Sequence, residues 1–183
     1  MFLVVTGGSG SGKSAYAEKR VASFGSHLKR YYLATMENCD EESEKRIQRH
    51  RAMRADKGFE TIESPRDIHR ISLSEKGVIL LECMSNLAAN EMFLPNGKME
   101  EADIAEKKIL MGIRSLLDHC EHLVVVTNEV NSDGNEYDPW TTAYLKCIGH
   151  VNQSMAQLAD EVVEVVYTIP VFQKERRKNE PVI

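Results

Sequence analysis

Short apolar runs recur along the chain and alternate with longer segments in which apolar residues return every three or four positions. The runs are nearly unbroken and rich in β-branched residues, which predicts strands buried on both faces at residues 2–6, 31–34, 78–81, 123–127 and 162–167, with a further short strand at 59–63. The periodic segments predict helices at residues 14–22, 40–55, 84–92, 102–120 and 140–159. Because strands and helices alternate, the pattern predicts an α/β fold with a mostly parallel central sheet.

Length and composition narrow the class of protein. The 183 residues suit a single domain, 1–183, and the charged end at about 174–183 predicts a flexible tail. The net charge of -5 argues against a nucleic-acid partner, and no apolar run approaches the ~18 residues that a membrane span needs. The 4 cysteines are widely spaced, so we expect reduced thiols in a cytoplasmic protein, with Cys83 and Cys147 in the core.

A glycine-rich loop follows the first predicted strand and opens the first predicted helix. It matches the pattern G-x-x-x-x-G-K-[ST] and comprises Gly7, Gly8, Ser9, Gly10, Ser11, Gly12, Lys13 and Ser14. Glycines let backbone N–H groups close around phosphate oxygens, and the helix N-terminus adds a positive dipole. Lys13 can reach the β- and γ-phosphates, and the Ser14 hydroxyl can bind Mg²⁺. A glycine turn without a ligand would need neither residue, so the loop predicts a site for a nucleoside triphosphate.

Polar residues follow the other predicted strands, at the sheet edge where open parallel sheets bind ligands. They are Thr35, Glu82, Asn128 and Glu129. A P-loop enzyme needs a carboxylate near Mg²⁺, and Glu82 closes an apolar strand where that carboxylate is expected. Glu129 is the second candidate. Either carboxylate would also serve as the cap of a following helix, so both interpretations stay open.

The predicted helix at 40–55 begins acidic and ends basic, as the helix dipole favours. At i, i+4 spacing, Glu42, Arg46, His50 and Arg54 share one face, with the imidazole between two guanidinium groups. Such a face repels a metal ion and suits a polyphosphate, which arginine binds in a bidentate manner. The neighbouring cations favour a neutral imidazole, which is a nucleophile toward phosphorus. The alternative is that His50 is an ordinary solvated residue on a charged helix.

Several motifs occur in one order along nearly the whole chain. They are V-T-G-G with the glycine-rich loop, Y-L-A-T (32–35), R-I-x-x-H-x-x-x-R (46–54), T-x-E (61–63), L-L-E-C (80–83), T-N-E-V (127–130) and V-N-Q (151–153). In this combination the chain resembles the bifunctional adenosylcobinamide kinase / adenosylcobinamide-phosphate guanylyltransferase family of cobalamin synthesis. Together with the loop, the resemblance implies a three-layer fold of the P-loop NTPase type (RecA-like).

The resemblance implies two reactions. The first phosphorylates the aminopropanol hydroxyl of adenosylcobinamide with ATP or GTP, and the second transfers GMP from GTP to that phosphate through a GMP–histidine intermediate. The matching histidine is His50, with Lys13 as the second catalytic residue, and Mg²⁺ would be bound by Ser14 and Glu82. The nucleotide-binding positions map onto the loop Gly7–Ser14, and further onto Ala34, Thr35, Met36, Arg51, Ala52, Met53, Arg54, Glu63 and Glu82. A homotrimer is also implied.

One departure from the family pattern follows T-N-E-V. The family continues with a glycine-rich segment, whereas this chain has the polar loop 131–139, at a strand end where a substrate would bind. The difference leaves open a monofunctional guanylyltransferase. A simple P-loop small-molecule kinase, which would need no His50, and a regulatory nucleotide-binding module are also compatible with the glycine-rich loop.

Overall fold

The computed structural model describes residues 1–37, 57–129 and 137–175. Its strands are β1 (Phe2–Thr6), β2 (Lys29–Ala34), β3 (Phe59–Glu63), β4 (Gly77–Glu82), β5 (His122–Val126), β6 (Glu161–Val166) and β7 (Ile169–Lys174). Its helices are α1 (Lys13–Ser23), α2 (Met84–Met92), α3 (Ala102–His119) and α4 (Pro139–Leu158), with a short 3-10 turn at Ile68–Arg70. The predicted helix at 40–55 lies outside the described residues.

The strands form one sheet in the order β3-β2-β4-β5-β1-β6-β7. Every neighbouring pair is parallel except β6 and β7, which are antiparallel. The α/β fold with a mostly parallel sheet is therefore confirmed.

In the part of the chain that the structure describes, no helix is both long and apolar enough to cross a membrane.

Both faces of the central strands β1, β4 and β5 are buried, which explains why their sequences are nearly unbroken apolar runs. Leu3 and Val5 of β1 face α1, where they pack with Ala17 and Val21. Their neighbours in the strand face the opposite layer, which is formed by α2, α3 and α4. The period of two in side-chain direction thus distributes one apolar run between two separate cores.

Strand β7 extends to the residue at which the flexible tail was predicted to begin. Lys174 closes strand β7, and its ammonium group donates to the carbonyl oxygens of Ala156 (3.1 Å) and Gln157 (3.0 Å) at the end of α4. A cation at a helix C-terminus satisfies carbonyl groups that the helix leaves free, which explains this contact. The flexible tail stays a prediction. Residues from 176 onward lie outside the described part.

Candidate active site

The glycine-rich loop joins β1 to α1 and is braced by the turn between β6 and β7. Gly7 has a φ of +149°, and a Cβ there would lie 2.5 Å from the carbonyl oxygen of Val165. Gly12 has a φ of +92°, and a Cβ there would lie 2.9 Å from Thr168 Cγ2. The N–H of Thr168 donates to the carbonyl oxygen of Ser11 at 2.8 Å. Glycine is required at both loop positions because the hairpin approaches so closely.

Two polar side chains of the loop are arranged for an anionic ligand. Lys13 Nζ donates to the carbonyl oxygen of Gly8 at 2.9 Å, so the ammonium group lies over the loop. Burial lowers the pKa of Lys13, while the Cys83 thiol and the Glu82 carboxylate act in the opposite direction. Ser11 Oγ is buried without a hydrogen-bond partner in the described structure. A buried hydroxyl of this kind is available to a phosphate oxygen.

Ser14 and Glu82 meet at the mouth of the loop. Ser14 Oγ donates to Glu82 Oε1, and the Tyr32 hydroxyl donates to Glu82 Oε2 at 3.1 Å. A serine hydroxyl beside a carboxylate is the set of oxygen donors that Mg²⁺ prefers when phosphates supply the other ligands. The described residues contain no cluster of three or more His, Cys, Asp or Glu side chains for a metal. The Ser14 and Glu82 oxygens fit a magnesium ion whose other ligands come from a nucleotide and from water.

Sheet register aligns the other predicted nucleotide-binding residues with Glu82. Ala34 of β2 is paired with Glu63 on one side and with Glu82 on the other. Thr35 follows at the carboxyl edge and is fully buried, and Met36 beyond it is half-buried. The Thr35 hydroxyl donates to the carbonyl oxygen of Cys83 at 2.7 Å, so this side chain holds β2 to β4.

A second group of polar residues continues this edge toward α2 and α4. Cys83 Sγ and Ser85 Oγ lie 3.0 Å apart, and Asn128 Nδ2 donates to Ser85 Oγ at 2.7 Å. Cys83 was expected in the core; it is half-buried and packs at the margin of the core that faces α1, because β4 ends just before it. Cys147 is fully buried, as expected.

Several contributors to this edge were not predicted from the sequence. Tyr32 was assigned to a strand, yet its hydroxyl reaches Glu82. Nothing in the sequence indicated that Ser85 and Thr168 lie at this edge, because a serine in a helix and a threonine in a turn are ordinary residues. The V-N-Q motif could have indicated one further contact. Its asparagine, Asn152, lies in a helix that packs against the sheet, and a buried amide there needs a hydrogen-bond partner.

The predicted residues are only partly brought together by the described structure. Loop residues Gly7–Ser14, Ala34, Thr35, Glu63 and Glu82 share the carboxyl edge of the sheet. Glu129 is exposed beyond β5. The basic face of the predicted helix, which is Arg46, His50, Arg51, Ala52, Met53 and Arg54, lies outside the described residues.

Asn152 connects α4 to this edge and allows a test of stability. Thr127 is buried, and its hydroxyl donates to Asn152 Oδ1 at 2.8 Å. Asn152→Ala leaves this hydroxyl without its partner, so we expect the free energy of unfolding to fall by about 1–3 kcal/mol. Urea denaturation checks this, with Gln153→Ala, an exposed neighbour, as the control that should change stability by less than about 0.5 kcal/mol. Equal stability of the two variants would contradict the role of the bond.

The fold and the loop together define a P-loop nucleotide-binding α/β protein. The chain is similar to the flagellar accessory protein FlaH from Methanocaldococcus jannaschii, with a TM-score of 0.50 and 12% identity over 96% of this chain and 78% of that chain. A second solved structure, an ATPase domain, is similar with a TM-score of 0.51 and 13% identity over 96% of this chain and 77% of that chain. At these identities the likeness shows the fold alone.

Sequence comparison identifies the family within this class. The family model of CobU, cobinamide kinase / cobinamide phosphate guanyltransferase, matches residues 3–172, and the chain belongs to this family. The bifunctional adenosylcobalamin biosynthesis protein CobU of Escherichia coli (strain K12) is 31% identical over 182 residues, which cover 93% of this chain and 98% of that protein. The protein of the same name from Salmonella typhimurium is 34% identical with the same coverage.

Proposed function

We propose that this chain phosphorylates the aminopropanol hydroxyl of adenosylcobinamide with ATP or GTP. It then transfers GMP from GTP to the new phosphate, releasing pyrophosphate and giving adenosylcobinamide-GDP. The observation that carries this proposal is the pairing of Ser14 with Glu82 at the mouth of a glycine-rich loop, in a chain of the cobinamide kinase / guanyltransferase family. Two relatives with the name of a bifunctional enzyme support the assignment of both activities.

The kinase half depends on the loop and the sheet edge. The ammonium group of Lys13 and the backbone N–H groups of the loop stabilise negative charge on the γ-phosphoryl group as it moves to the acceptor hydroxyl. Mg²⁺, held by Ser14, Glu82 and the phosphates, would neutralise charge on the β- and γ-oxygens. Glu82 and Glu129 are the candidates for the base that accepts the hydroxyl proton.

The guanylyl half adds a nucleophile. The neutral imidazole of His50 attacks the α-phosphorus of GTP, a P–N bond forms, and pyrophosphate leaves. A phosphate oxygen of adenosylcobinamide phosphate then attacks the same phosphorus, the P–N bond breaks, and His50 is regenerated. Arg46, Arg51 and Arg54 balance the charge of the phosphates. The nucleotide contacts assigned to Ala34, Thr35, Met36, Ala52, Met53 and Glu63 belong to the same proposal.

We also infer a homotrimer of a cytoplasmic enzyme. The hairpin of β6 and β7 supports a subunit contact, because it exposes the apolar side chains Val166, Tyr167, Ile169, Val171 and Phe172. The cytoplasmic location is inferred because the nucleotide substrates of the proposed enzyme, ATP and GTP, are abundant there. Light scattering of the purified protein in solution measures the mass that tests the trimer.

A four-way assay tests the function. Adenosylcobinamide and adenosylcobinamide phosphate are each supplied with ATP and with GTP, and the products are separated chromatographically. We expect phosphate formation from adenosylcobinamide with at least one nucleotide, and adenosylcobinamide-GDP from the phosphate with GTP only. Product from the phosphate alone would restrict the chain to guanylyl transfer. Product from neither acceptor, with nucleotide still bound, would overturn the proposal.

A further inference from the structure

Three aromatic residues lie near the carboxyl edge, and the proposed reactions do not involve them. Phe93 follows the end of α2, and Trp140 and Tyr144 lie four residues apart near the start of α4, so they share a helix face. The rings of Phe93 and Tyr144 are 6.3 Å apart between centroids. Phe93 is 39% exposed and Trp140 is 51% exposed, so this aromatic patch presents apolar rings to the surface.

The aromatic patch is continuous with the candidate active site. The Tyr144 hydroxyl donates to the carbonyl oxygen of Ser85 at 3.2 Å. Ser85 Oγ accepts from Asn128 Nδ2 and lies 3.0 Å from Cys83 Sγ. Cys83 directly follows Glu82, whose carboxylate lies at the mouth of the glycine-rich loop. A ligand that covers the patch therefore has its nearest edge beside the proposed transfer centre.

Local structure fixes the position of the aromatic patch. Asp138 caps α4, since its Oδ1 accepts the N–H groups of Trp140 (2.9 Å) and Thr141 (3.1 Å). Hydrogen bonds from Thr141 hold the pKa of Asp138 below its ordinary value, so the cap stays ionised. The Tyr144 hydroxyl donates to the carbonyl oxygen of Ser85, and burial raises the pKa of this hydroxyl to about 12. The cap thus fixes the backbone at the start of α4, and the hydroxyl bond orients the ring of Tyr144 before any ligand arrives, which lowers the entropic cost of binding.

The position relative to the sheet separates this patch from the nucleotide. Tyr144 packs on the core formed by α2, α3 and α4, whereas α1 and the loop that leads into it lie over the opposite core. The nucleotide is bound by the N-terminus of α1 in the proposed reactions. A second substrate that binds the patch would therefore approach the carboxyl edge from the other face of the sheet.

We propose that the aromatic patch binds the macrocycle of the acceptor substrate; this inference rests on the proposed function. A corrin is a large ring with apolar faces and an amide-bearing rim, and its reacting hydroxyl or phosphate is at the end of a flexible arm. Apolar ring faces suit the side chains of Phe93 and Trp140. The side chain of Asn128, which is half-buried on the inner side of the patch, offers an amide to the rim or to the arm, and its hydrogen bond to the buried Ser85 hydroxyl orients that amide.

The test measures acceptor binding separately from nucleotide chemistry. For Trp140→Ala and Phe93→Ala, we expect the KM for adenosylcobinamide phosphate to rise about tenfold each, with kcat changed less than about threefold. Labelling of the enzyme by α-labelled GTP requires no acceptor and should be unchanged. Trp140→Phe should recover most of the affinity because it keeps an aromatic face. Leu158→Ala is the matched control, since Leu158 is 48% exposed at the other end of α4.

Each outcome decides the proposal. An unchanged KM in both alanine variants, with wild-type turnover intact, overturns the acceptor site. An unchanged KM together with a shift in oligomer mass on size-exclusion chromatography overturns it in favour of a contact between copies of the chain. If the wild-type protein itself converts neither acceptor, the proposed function fails first, and the inference falls with it. A raised KM with normal GTP labelling supports the site.

Discussion

Replacement of Lys13 by alanine is expected to lower kcat about 10²–10³-fold in both the kinase and the guanylyl transfer reactions. The ammonium group lies over the loop, with Nζ 2.9 Å from the carbonyl oxygen of Gly8. A positive group fixed in this position stabilises charge that develops on the phosphates in either transition state. Removal of one such group typically lowers kcat about 10²–10³-fold. Initial-rate assays with each acceptor at saturating nucleotide measure the loss.

The control for this prediction is Lys19→Ala, which removes an exposed cation from the same helix. We expect Lys19→Ala to change kcat less than about twofold, because a solvated charge away from the loop is screened. Lys13→Ala should keep its thermal unfolding midpoint within about 2 °C of wild type, since it loses one hydrogen bond to a backbone carbonyl. A Lys13→Ala variant with full kinase activity would show that the loop is not the kinase site.

The sequence predicted the fold well wherever burial on both faces dominated. Strand β4 is apolar along nearly its whole length because α1 covers one face and the other helices cover the opposite face. Strand β7 was missed for the opposite reason, since it is an exposed edge strand and contains Pro170. The sequence of the turn between β6 and β7 did not predict a hairpin either. Tyr167 and Thr168 have φ values of 49° and 68°, which glycine or asparagine usually adopts.

The candidate site was predictable only where a short motif encodes the chemistry. The spacing of Gly7 from Gly12, Lys13 and Ser14 predicts a phosphate loop by itself, and Glu82 was predicted from its place at a strand end. The contacts among Ser85, Asn128 and Tyr144 depend on the rotation of α2 and α4 against the sheet, which apolar periodicity fixes only to within a broad face. The aromatic patch therefore emerged from the structure.

The second large effect is expected for His50→Ala. Incubation with α-labelled GTP should leave acid-labile label on the wild-type protein, because a phosphoramidate is hydrolysed by acid. The variant should retain less than about one thousandth of this label and of guanylyl transfer, since no other group replaces the lost nucleophile. Phosphorylation of adenosylcobinamide should stay within about threefold of wild type, because the kinase reaction needs no protein nucleophile.

The contrast between the two reactions is what makes this variant informative. His119→Ala removes an exposed imidazole at the end of α3 and should leave both labelling and transfer unchanged. If His50→Ala is labelled as strongly as wild type, the GMP–histidine intermediate is not formed on His50. This conclusion holds whether or not the variant still phosphorylates adenosylcobinamide. If labelling is lost but transfer persists, GMP passes directly from GTP to the acceptor. Loss of the kinase as well would indicate that this histidine instead binds the triphosphate in both reactions, since a polyphosphate contact serves either donor.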